Sequence, residues 1–132
     1  MKRLTLATLF AFGVVSAVGG AEPVAMRRES IPDRFVGVWS TKLALCTRHE
    51  DDTTALKISS DAVVFWEDGG HTLAVATRGE SELVVVLEMG YEDGRYLDAI
   101  RFVLSKDKNH LSIMSGQKVF STRVRCPKNA SD

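Results

Sequence analysis

The chain predicts an all-β domain: an antiparallel meander of about eight short strands closed into a small barrel, with a two-sheet sandwich as the alternative arrangement. Three observations carry that expectation. Short apolar runs rich in Val, Ile, Phe and Thr recur from residue 35 to residue 126, separated by clusters of Asp, Gly, Asn and Ser. No stretch of the same region shows a helical period flanked by capping residues. Cys46 follows the first run and Cys126 ends the last, and the first and last strands of a closed meander are neighbours.

The first 21 residues stand apart. Met1-Lys2-Arg3 is a basic start, Leu4 to Val18 is uncharged and largely apolar, and Gly19-Gly20-Ala21 offers a small-residue exit. This is the pattern of a secretory signal peptide, and its apolar run falls short of the roughly 20 residues a membrane span needs. Residues 22–32 mix Pro, Arg, Glu and Ser without period and read as a flexible lead-in, with Pro32 opening one helical turn at Asp33-Arg34.

The strands follow at 35–41, 55–59, 62–66, 71–77, 82–89, 96–104, 111–114 and 118–126, which sets a barrel domain at 33–126 and a tail at 127–132. The sixth alternates, with Ile100, Phe102 and Leu104 on one face. In the eighth, Phe120, Val124 and Cys126 oppose Ser121, Arg123 and Arg125. The expected core is Trp39, Leu56, Ile58, Phe65, Val85, Ile100, Phe102, Ile113 and Phe120. Ala62–Trp66 and Leu83–Leu87 are apolar on both faces, so a second covering is needed: the lead-in, a loop or a partner surface.

Charge and composition narrow the function classes. The chain has 17 basic and 17 acidic residues; without the leader 15 basic residues face 17 acidic ones. That balance gives no support for nucleic-acid binding. Three His and two Cys are too few for a zinc framework, and His49-Glu50-Asp51-Asp52 lacks calcium-loop spacing, reading as a solvated charged loop. No cofactor or metal is expected. No G-x-S-x-G nucleophile turn occurs, so no catalytic residue is assigned. Export to a bacterial periplasm or medium, with no membrane anchor after cleavage, lets Cys46 and Cys126 pair as a disulfide; two free thiols are the alternative.

Phe35-Val36-Gly37-Val38-Trp39-Ser40 resembles the F-x-G-x-W opening strand of calycins, the superfamily of lipocalins and fatty-acid-binding proteins. The resemblance implies that Trp39 closes one barrel end, that Gly37 permits close approach, and that Arg123 or Arg125 from the last strand packs on the indole. A narrower resemblance, through the same strand, one following Cys and the Val124-Arg125-Cys126 ending, is to small exported bacterial proteins without an assigned activity.

Two constellations point to binding. Tyr91 and Tyr96 bracket a charged hairpin, and Asp98 shares the face of Ile100 and Phe102, a polar anchor at a pocket mouth with Trp66, Tyr91 and Tyr96 as walls. Ser115-Gly116-Gln117-Lys118 resembles the Ser-Gly loop that periplasmic inhibitors of C-type lysozyme present to the enzyme, which would give Ser115, Gly116 and Lys118 the inhibitory role. The expected function is an exported, non-catalytic binding module for a small apolar ligand or an envelope protein, with the inhibitor as the alternative.

Overall fold

A computed structural model of the protein describes residues 24–27, 30–48, 52–91 and 94–128. The leader, His49 to Asp51 and the tail beyond residue 128 lie outside them. Among the described residues nine strands run in order: β1 (Val24–Arg27), β2 (Gly37–Ser40), β3 (Leu56–Ile58), β4 (Ala62–Val64), β5 (Gly69–Arg78), β6 (Glu82–Tyr91), β7 (Gly94–Leu104), β8 (His110–Ser115) and β9 (Lys118–Arg125). Strands β2 to β9 pair antiparallel in sequence order, and β9 returns to β2, so eight strands form a closed meander barrel. One 3-10 turn, Leu43–Leu45, follows β2.

Alternation explains the barrel's inside. Leu83, Val85, Leu87 and Met89 of β6 face Phe102, Ile100, Asp98 and Tyr96 of β7 across the pair. Ile31, Phe35, Trp39, Leu56, Ile58, Val63, Val75, Leu104, Leu111 and Ile113 belong to the same buried cluster, with Val36, Phe65 and Ile100 packed at its margin. Each of the eight barrel strands thus puts one face inward, as an antiparallel sheet with a single core requires.

Two expectations about the chain's edges are corrected. The lead-in is not irregular: Val24–Arg27 pairs with Val75–Arg78 of β5, along a stretch of that edge which β4 does not reach. Ile31 is buried and its N–H donates to Ser60 O at 2.8 Å. Phe120 is not core but 76% exposed. A register shift between Ile113 and Met114 sets Ser121, Arg123 and Arg125 opposite the inward Ile113, Leu111 and Trp39. The polar face of β9 therefore points into the barrel.

The reason is visible at the closed end. Trp39 is fully buried and its indole N–H donates to Phe35 O at 3.0 Å. The Arg125 guanidinium lies 4.1 Å from the Trp39 ring centre, so of the two candidate arginines Arg125 is the one on the indole. It also donates to Arg34 O at 2.5 Å, Val36 O at 2.9 Å and Lys108 O at 2.9 Å. Three carbonyls and an aromatic face replace the water this cation loses. Gly37 has φ 144°, and a Cβ there would lie 3.2 Å from Arg125 Nη1, so the close approach depends on glycine.

Cys46 and Cys126 are joined, with Cα atoms 5.4 Å apart across 80 residues of sequence. The bridge lies beside a short seam: β2 and β9 share only the pairs Trp39–Arg125 and Ser40–Val124, and Cys126 N–H donates to Val38 O at 2.8 Å. The double variant Cys46→Ala/Cys126→Ala is expected to lose about 2–5 kcal/mol of stability, because the unfolded chain regains the freedom of a long loop. Urea denaturation of the oxidised protein and the variant checks this.

Candidate functional site

The turns at 59–61, 79–81 and 105–109 share the Trp39 end. The opposite end carries the turns at 65–68, 91–94 and 115–118 and the connection from β2 to β3. There β7 outruns its neighbour: β8 pairs with Arg101 to Leu104 only, while β6 pairs with β7 from Gly94 to Val103. The β8–β9 hairpin stops at a two-residue turn in which Gly116 has φ 59°, and Arg101 Nη1 donates to Gly116 O at 3.1 Å.

A cleft of about 490 Å³ opens where β7 leaves β8 behind. Asp98, Ala99 and Ile100 form one wall, Ile113 to Gly116 the other, and Phe65, Phe120 and Arg123 complete the lining. Apolar and polar groups share the walls. Asp98 is exposed and its Oδ1 accepts the Ala99 N–H at 2.8 Å, so it stands at the solvated mouth. Arg123 stands on the inward face of β9. Its Nε and the Ser121 Oγ, also inward, are buried without a hydrogen-bond partner. Thr72 Oγ1 and Asp68 Oδ1 are in the same condition on the β4–β5 side. Such groups favour any occupant that supplies hydrogen bonds.

Arg123 is held by a network the sequence did not suggest. Its Nη1 donates to Thr54 O. Asp52, 2% exposed, accepts Ser40 Oγ at 2.6 Å, Thr54 N at 2.9 Å and Thr54 Oγ1 at 2.5 Å. Burial pushes the Asp52 carboxyl up, but these three hydrogen bonds and the Arg123 charge outweigh it and hold the group below the usual carboxylate value. Burial lowers the Arg123 guanidinium, with Asp52 opposing. The reading of 49–52 as a solvated loop is therefore wrong at Asp52, which ties the β2–β3 connection to β2 and faces the charge of Arg123.

The proposed walls separate. Asp98 lines the cleft. Trp66, in the β4–β5 turn, is 49% exposed and lies outside the lining. Tyr96 is half-exposed on the inward face of β7, and its hydroxyl donates to Asp68 Oδ2 at 2.7 Å. Tyr91 ends β6 at the hairpin tip. Ser115 and Gly116, read as a separate inhibitory loop, line the same cleft as Asp98, and Lys118 stands exposed at the start of β9. Phe65, Ala99, Ile100, Ile113, Met114, Phe120 and Arg123 also line the cleft, and the sequence reading assigns none of them to a pocket.

A second apolar surface lies outside the barrel. The outward Val84 and Val86 of β6 stand opposite Ala76 and Ala74 of β5, and Val86 also opposes Ala99 of β7. This is the other face of the run Leu83–Leu87. Among the described residues no group of three or more His, Cys, Asp or Glu is placed to hold a metal ion, and no helix is long and apolar enough to cross a membrane. These features define a closed eight-stranded antiparallel barrel with one plugged end and a cleft at the other. No protein family, curated protein or solved structure matches the chain.

Proposed function

We propose that the protein is an exported, non-catalytic binding module whose open-end cleft holds a small, mainly apolar ligand. One observation carries the reading: a cleft of about 490 Å³ with Phe65, Ile100, Ile113, Met114 and Phe120 in its walls and a single inward arginine at one side. That volume suits a small amphiphile, whose apolar part these side chains would cover. The leader sequence and the disulfide support a periplasmic or secreted location.

Fluorescence titration with the neutral dye N-phenyl-1-naphthylamine tests the reading. Phe120→Ala should weaken binding about tenfold, as expected for losing part of an aromatic wall. Phe120 is mostly exposed, so this variant should keep its fold. Trp66→Ala should bind like the wild type. Equal affinity for wild type and Phe120→Ala, or a loss confined to Trp66→Ala, would count against the cleft.

A second reading draws on Ser115, Gly116 and Lys118 standing exposed at the tip of the β8–β9 hairpin. As an inhibitor of a lysozyme-type hydrolase the protein would offer Lys118 to the enzyme's carboxylates. Loss of C-type lysozyme inhibition in Lys118→Ala, with dye binding intact, would select it.

A further inference from the structure

We infer that the cleft selects a neutral amphiphile whose carbonyl head accepts hydrogen bonds from Arg123 Nε and Ser121 Oγ. The inference rests on the cleft reading above and adds the chemistry of the head. Arg123 lines the cleft, and its Nε is buried without a hydrogen-bond partner, although Nη1 of the same group donates to Thr54 O. Ser121 stands two residues earlier on the same face of β9, between the lining residues Phe120 and Arg123. Its Oγ is also buried without a partner. A buried donor that makes no hydrogen bond carries the whole cost of its desolvation. A ligand that brings an acceptor recovers that cost on binding. A carbonyl oxygen has two lone pairs and no proton of its own, which matches two donors.

The charges around the cleft disfavour an ionic head. Asp98 lines the mouth and is exposed, so an anion meets a like charge on entry. The Arg123 charge already faces Asp52, so a carboxylate would gain little from it. A cation would meet Arg123 in the same lining. A neutral head escapes both repulsions and keeps the directional hydrogen bonds. Both donors are closed off in the empty cleft, so a side chain must yield to admit the head. Phe120 adjoins Ser121 and is the most exposed of the large apolar side chains described, so packing holds it least. The tail then lies along Phe65, Ile100 and Ile113.

Isothermal titration calorimetry with octanamide, octanoate and octylammonium at neutral pH tests the inference. Octanamide should bind at least about tenfold tighter than either ion of the same chain length. Ser121→Ala should weaken octanamide about fivefold. Its melting temperature should not fall, because the hydroxyl it removes has no partner to lose. Arg123→Lys keeps a cation opposite Asp52 but has no Nε–H, and should narrow the preference for octanamide over octanoate by a similar factor. Either ion bound as tightly as octanamide, or octanamide affinity unchanged in either variant, would overturn the inference while leaving the cleft reading in place. A wild type that binds neither octanamide nor N-phenyl-1-naphthylamine would remove the cleft reading and this inference together.

Discussion

Trp39→Ala is expected to lower stability by about 3–5 kcal/mol, the range for deleting a fully buried large aromatic. Three effects act together there. The cavity opens under Phe35 and the closed-end turns, the Phe35 carbonyl loses its indole donor, and Arg125 loses the ring beneath it. Trp39→Phe should recover most of the packing but neither the N–H donor nor the full cation–π contact, leaving a deficit of about 1–2 kcal/mol. Guanidinium denaturation followed by circular dichroism would rank the three proteins. Equal stability of Trp39→Ala and wild type would mean that the Trp39–Arg125 packing does not hold the closed end together.

Asp52→Ala should have an effect of similar size, about 3–5 kcal/mol at neutral pH, because it removes one partner of a buried charged network. Asp52→Asn separates charge from shape and sets a pH signature. The folded carboxyl lies below its unfolded value, which is about 3.9. Its stabilising effect is therefore complete above that value and is lost as pH falls through the lower folded value. The wild type should lose melting temperature steeply on acidification below about pH 4, and the gap between wild type and Asp52→Asn should close there. Thermal melts from neutral to acid pH check the slope. A gap that stays constant to strongly acid pH would remove Asp52 as the responsible group.

The meander was legible because its signals are local. Turn residues and alternating apolar runs place eight strands within a few residues of their observed bounds, and the cysteines identify which strands meet. Other features depend on partners far along the chain. Phe120 looks like core because apolar residues usually face inward, yet Arg125 must face inward to reach Trp39, and residues 123 and 121 share its face. The two expectations conflict within one strand, and the arginine over the indole decides between them. Asp52 reads as a loop residue until Ser40 and Thr54 are brought to it. The strand at Val24–Arg27 has no turn signal joining it to β5 and becomes visible only once β4 proves too short to cover that edge. For the cleft, Asp98 and Ser115-Gly116 were singled out for separate roles. Only the extra length of β7 over β8 places them in one lining.

The brief seam between β2 and β9 has a consequence for the order in which the chain folds. Every other barrel pairing joins strands adjacent in sequence, so hairpins such as β6–β7 and β8–β9 can form early from nearby residues. Closure alone brings together groups as distant as Val36 and Arg125, 89 residues apart. It must wait until the whole meander exists, when it gains two ladder pairs, the arginine plug and the sulfur bridge at once. A chain that has paired its hairpins but not closed would carry two bare sheet flanks, which favour aggregation. Oxidation of Cys46 and Cys126 would thus act as a ratchet on a late step, making the thiol environment a determinant of folding yield as well as of final stability.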